Sequence, residues 1–187
     1  SYFYDQFKVS KVEAGQLTML ATLVGSAVRV LGGHLADRWG GIHTLSVVLV
    51  LVAAASLACG FAGGSVAMTT GLFMLCFAGL GLGNGALFQL VPLRWPATTA
   101  VAGPMIGEIG ALGGGILPNA MGLARQHTGS YLLGFLIFTA LALGMLVLLR
   151  TVQRRWTRTW IGAGGRALAP VEAPGGAKPG WAPPASA

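Results

Sequence analysis

Five stretches of this chain, 14–36, 42–62, 66–91, 99–122 and 130–150, each run for twenty residues or more with at most one Asp, Glu, Lys or Arg. A helix rises about 1.5 Å per residue, so roughly twenty apolar residues match the roughly 30 Å thickness of a bilayer's hydrocarbon core. A backbone in that layer has no water to bond, which leaves helices and closed barrels as the only spanning structures. Continuous apolar runs, without the strict alternation of a barrel strand, select helices. The expected fold is an all-α transmembrane helical bundle. "DRWGG", "AGGS", "PLRWPAT" and "RQHTGS" connect the runs. Each is short and made of turn formers or charges, which forces consecutive spans to be antiparallel neighbours.

Composition agrees. Of 187 residues 54% are hydrophobic and 9% charged, against roughly 25% charged in soluble domains. The thirty glycines follow no Gly-X-Y period, which excludes collagen and fits helices packed closely in lipid, where small residues let backbones approach. A net charge of +7 raises the question of nucleic acid. Arg150, Arg154, Arg155 and Arg158, however, directly follow the last apolar run, where the excess of cytoplasmic basic residues belongs, so the charge reports topology and no nucleic-acid partner is expected. Arg38, Arg94 and those four fall on one side of the five spans, against Lys8, Lys11 and Arg125 on the other. The chain is thus expected to start outside and end in the cytoplasm.

No known chemistry-bearing motif is present. His34, His43 and His127 show no ligand spacing, and Cys59 and Cys76 lie in apolar runs without a partner pattern, so no metal site is expected and both cysteines read as reduced packing residues. There is no phosphate-binding loop and no nucleophile set at one depth. Neither an enzyme nor a cofactor is expected.

Polar groups inside the runs are more informative. At helical spacing Gly103, Gly107, Gly110, Gly114, Pro118 and Gly122 form one nearly bare stripe on the fourth span. It serves either close packing or a substrate path. Glu108 shares that span, and a carboxylate at such depth costs about 2.5–3.5 kcal/mol on insertion scales unless it faces a bundle interior or a wet cavity. Arg29 lies eight residues before Asp37, roughly 12 Å deep, near the depth of Glu108. Arg29 and Glu108 pair with each other, or Arg29 faces a small anion, whose oxygens a guanidinium fork binds with two parallel hydrogen bonds. In the third span Asn84 and Gln89 face a substrate or bond across helices, and Phe88 either packs or stacks on a planar ligand.

"GGHLADRWGG", Gly32 to Gly41, resembles the G-x-x-x-D-R-x-G loop of the major facilitator superfamily, here Gly33, Asp37, Arg38 and Gly40. The basic pair that usually follows is replaced by Gly41 and Ile42. The resemblance implies a gating loop. Together with "GLGNGALFQLVP" and "GEIGALGGGILPNAMG", the pattern "GSAVRVLGGHLADRWGG" resembles the C-terminal half of the nitrate/nitrite porter family over roughly residues 14 to 150. That resemblance implies that Arg29 is one of two arginines binding nitrate or nitrite and that Gly107, Gly110, Gly113 and Gly114 belong to a signature helix; with Asn84 they are the candidate substrate-binding residues. It also implies that the five spans are the eighth to twelfth of twelve, and that residues 1–13 are the periplasmic end of a truncated preceding span. Glu108 departs from the small or apolar residue usual there and is a candidate for proton coupling or an ion pair.

The chain, opening abruptly at "SYFYDQF", is expected to be a fragment of a secondary transporter that moves nitrate or nitrite across a bacterial inner membrane by alternating access. Its partners would be membrane lipids and the missing N-terminal half. Alternatives are a transporter of another small anion such as a carboxylate, and a truncated, non-transporting membrane subunit. Residues 151–187 read as a basic juxtamembrane segment, with "RRWTRTW" as an interfacial anchor or an anionic-lipid contact, followed by a disordered cytoplasmic tail.

Overall fold

The computed structural model describes residues 8, 10–62 and 65–168. Five helices follow one another: α1 (Lys11–Trp39), α2 (Gly41–Phe61), α3 (Val66–Arg94), α4 (Thr99–Thr128) and α5 (Leu132–Trp156), with single 3₁₀ turns at Pro96–Thr98 and Ala163–Gly165. All five are long and apolar enough to cross a membrane. No strand occurs among the described residues. The chain is a multi-pass membrane protein.

Four of the helices run past the apolar runs into their charged flanks, because a charge ends a hydrophobic pattern without ending a helix. α1 starts three residues before 14, at a reciprocal cap. The Glu13 amide donates to Ser10 Oγ at 3.2 Å and the Ser10 amide donates to Glu13 Oε2 at 2.9 Å, satisfying two of the amides that a helix start leaves unpaired. α3 starts on a similar hydroxyl, Ser65 Oγ accepting from the Met68 amide. Pro92 sits in the last turn of α3, which nonetheless reaches Arg94. Gly129, at φ 72°, ends α4 in the left-handed conformation that glycine adopts without a Cβ penalty.

Packing is uneven. α1 lies along α3 in the most extensive helix pair, and α2 packs against both α3 and α5. The buried residues of α1 are all Ala or Gly: Ala14, Ala21, Gly25, Gly32 and Ala36. Buried hydroxyls join α2 to α5, with Ser56 donating to the Phe135 carbonyl at 3.3 Å and Thr139 to that of Ala53 at 3.5 Å. α4 is held mainly near its two ends and is exposed between them. Large apolar side chains such as Val30, Val47 and Val147 point outward, as helices solvated by lipid require.

Past α5 the chain turns back instead of leaving the bundle. Arg158 donates its amide to the Ile161 carbonyl at 2.8 Å and Gly162 donates to that of Arg166 at 2.8 Å. Ile161 is fully buried with Ile42 and Leu90, beside Trp156 and Trp160. Described structure therefore continues through 162–168, where the composition suggested a tail, because Ile161 supplies an apolar anchor and Gly164 and Gly165 adopt positive φ. Residues 169–187, and most of the expected end of a preceding span at 1–13, lie outside the described residues.

Candidate functional site

The site is built on a close backbone-to-backbone approach of α1 and α3. A Cβ on Gly85 would strike the Arg29 carbonyl and come within 2.6 Å of the Gly33 amide nitrogen, and one on Gly32 would meet the Leu82 Cα at 2.6 Å. Gly81 likewise faces the Gly25 carbonyl. Glycines on both helices let α1 and α3 touch backbone to backbone, and this contact fixes the stretch of α1 that carries Arg29.

Arg29 is exposed at the edge of that contact. Its guanidinium carbon lies over the Phe88 ring, 4.8 Å from the centroid, within the range of a cation–π attraction. The edge of the same ring faces α4, where would-be Cβ atoms on Gly103 and Gly107 fall 3.7 Å from Cε1 and 4.0 Å from Cζ. Phe88 thus bridges Arg29 to the glycine stripe. Asn84, one turn earlier on the same face of α3, is also exposed. Gln89 points elsewhere: its Oε1 is buried without a hydrogen-bond partner and lies 2.6 Å from where a Cβ on Gly41 would stand.

Of the residues singled out in the sequence, Arg29, Gly107 and the bare face near Gly103 come together, with Asn84 beside them. Gly110, Gly113 and Gly114 do not join them, since nothing lies within 4 Å of a Cβ on any of the three. Glu108 is exposed, and among the described residues no ion pair joins it to Arg29. The guanidinium therefore keeps its donors for another acceptor. What the sequence left undecided was the role of Phe88. Its signals were its position one turn beyond Asn84 and its place in the "GLGNGALFQLVP" block.

The loop between α1 and α2 turns on Gly40, whose φ of 99° belongs to glycine. A Cβ there would strike the Gly164 carbonyl, and one on Gly164 would lie 2.6 Å from His43 Nδ1. The segment after α5 is therefore seated on this loop. Asp37 and Arg38 are exposed, and Gly33 is half-buried near the Gly85 carbonyl. Among the described residues no group of three or more His, Cys, Asp or Glu gathers in one place. Cys59 and Cys76 are free and buried.

No protein-family model matches the chain. Curated relatives do. The chain is 27% identical over 148 residues to the nitrite extrusion protein of Bacillus subtilis, covering 79% of this chain and 37% of that protein. It is 31% identical over 160 residues to the "probable nitrate/nitrite antiporter NarK1" of Thermus thermophilus, covering 75% and 36%. Against the "probable nitrate transporter NarT" of Staphylococcus carnosus it is 29% identical over 147 residues, covering 79% and 37%. The chain spans little more than a third of the length of these relatives. They support a nitrate/nitrite porter family for it, and they are transporters, not enzymes.

Proposed function

We propose that this chain, whose relatives are nitrate/nitrite porters, forms the C-terminal half of a major facilitator transporter that carries nitrate or nitrite across a bacterial inner membrane by alternating access. The single observation that carries the proposal is the Arg29 guanidinium, set over Phe88 next to Gly103 and Gly107 and without a carboxylate partner among the described residues. A planar oxyanion suits such a place. The guanidinium offers two parallel donors in one plane, the aromatic ring holds the guanidinium against the bundle, and the glycines leave room for the anion to approach backbone.

In this reading Arg29 binds the anion, and Asn84 and the Gly107 region of α4 line its path. Gly110, Gly113 and Gly114 face the N-terminal half of the complete protein, and Glu108 meets that half or a coupled proton. The turn at Gly33, Asp37, Arg38 and Gly40 rearranges when access switches. The order of the charges supports a cytoplasmic C-terminus. Lipids surround the outward apolar side chains.

The test is uptake by the full-length protein in liposomes, wild type against Arg29→Lys. Hydrogen bonds to a charged group contribute about 1.5–3 kcal/mol, and a lysine cannot reproduce the fork, so nitrate and nitrite uptake should fall about 10-fold or more. Undiminished uptake by a correctly inserted Arg29→Lys protein would remove Arg29 from the site. A wild type that carries a small carboxylate and neither nitrate nor nitrite would replace the anion in this proposal.

A further inference from the structure

We propose that Arg150, Arg154 and Arg158, with Gln153 and Thr157, form a binding site for a phosphate oxyanion, supplied by an anionic lipid headgroup at the basic end of the bundle. These five residues line an open surface groove of about 560 Å³, with the three arginines exposed along it. The site is independent of the anion that Arg29 binds.

Its construction is unusual in two respects. Arg150 and Arg154 share a face of α5 by their i, i+4 spacing, but the helix ends at Trp156, so Arg158 is not placed by helical repetition. Its position comes from a left-handed residue: Arg158 itself has φ 70°, a conformation uncommon in a non-glycine residue and associated with functional constraint. The turn is locked from behind, where the Arg158 amide donates to the Ile161 carbonyl and Ile161 is wholly buried. A buried anchor and a strained residue together bring the third guanidinium to the first two.

The second respect is electrostatic. Three guanidiniums along one open groove repel each other, and a carboxylate would be the ordinary compensation. Among the described residues the one carboxylate at this end of the bundle is Asp37, which forms no ion pair with them. An external anion completes the arrangement. A phosphate group matches it, because guanidinium forks bind its oxygens in pairs while the Gln153 side-chain amide offers a further donor; the Thr157 hydroxyl donates to the Gln153 carbonyl at 2.9 Å and only shapes the wall. The source favoured is a lipid, since the groove lies at the end of a span whose last residue is Trp156, the level at which headgroups and interfacial tryptophans sit. The back of this turn, through Gly164 and Gly165, is seated on the loop at Gly40 and Ile42, so a headgroup here steadies the segment that rests on that loop.

The experiment titrates the purified full-length protein, in a zwitterionic detergent, with short-chain phosphatidylglycerol, with phosphatidylcholine of the same chain length, and with inorganic phosphate. Each basic residue near a membrane surface contributes about 1 kcal/mol to binding an anionic lipid. Phosphatidylglycerol affinity should therefore fall about 5-fold for Arg154→Gln or Arg158→Gln and about 30-fold for the pair. Arg154→Lys, which keeps the charge, should retain most of the binding and shows that the variants fail through charge and not through folding. Arg166→Gln removes the same charge from the same end but outside the groove, and should change affinity less than about 2-fold. If inorganic phosphate displaces the lipid, the site stands and its oxyanion comes from solution; if it does not, the headgroup is the ligand. Equal weakening by Arg166→Gln would mean general surface charge, and phosphatidylglycerol binding no better than phosphatidylcholine, with no phosphate binding, would mean no site. Either result overturns the proposal.

Discussion

Helices α1 and α3 on one side of the molecule and α4 on the other use the same small residue for opposite ends. Between α1 and α3 four glycines are occupied: Gly25, Gly32, Gly81 and Gly85 each have the partner backbone where a Cβ would stand. Along the middle of α4, Gly110, Gly113, Gly114 and Gly115 have nothing within 4 Å. A glycine in a helix interior costs about 0.5–1 kcal/mol relative to alanine. In the first pair that cost is offset within the chain by close packing. In α4 it is not, and the four successive costs point to a surface that meets something beyond these residues, which the proposal identifies as the other half of a transporter.

Substitutions can break this contrast or sharpen it. Gly85→Val should have the largest effect, because the new side chain meets the backbone of Arg29 and Gly33 and not a flexible side-chain tip. Overpacking costs roughly 1–3 kcal/mol and sometimes more, and a loss at the top of that range, read as a fall in thermal unfolding temperature in detergent, is expected. Phe88→Ala comes next, as it joins the two regions. Loss of the cation–π contact with Arg29 removes about 0.5–2 kcal/mol, and nitrate affinity should fall with it when measured by uptake.

Gly113→Ala and Gly114→Ala should act in the opposite direction on the chain itself. With open space at each Cβ, each raises helix stability by about 0.5–1 kcal/mol, detectable as a higher unfolding temperature, while uptake by the complete transporter falls. Smallest of all is Glu108→Gln. An exposed side chain without an ion pair should change stability by no more than about 0.5 kcal/mol, and the place to look is the pH profile of uptake, which should flatten if Glu108 carries the coupled proton and stay unchanged if it does not.

How much of this was legible in the sequence follows from the range of each interaction. The five spans were, because hydrocarbon thickness imposes a local length and a charge marks its limit. The start of α1 was recoverable from the S-x-x-E pattern at Ser10 and Glu13, whose reciprocal hydrogen bonds need only neighbours. Arg29 was visible as a charge in an apolar run. Its partner was not, because the contact with Phe88 depends on how α1 crosses α3, a property of two helices far apart in sequence. For the same reason the glycines of α1 and α3 could not be told from those of α4 by composition. The turn after α5 was hidden by its Gly- and Ala-rich composition, in which Ile161 follows Trp160 and its burial is decided by Ile42 and Leu90, far away in sequence.

The measurement that bears most directly on the contrast compares one bulky change in each region. Gly85→Val and Gly114→Val are made in the chain, where unfolding temperature is read, and in the full-length transporter, where nitrate uptake is read. The account predicts that Gly85→Val lowers both, whereas Gly114→Val leaves the chain's unfolding temperature near wild type and abolishes uptake. Wild-type uptake by Gly114→Val would contradict it, since the open glycine face of α4 would then serve neither the other half of the transporter nor the path of the anion.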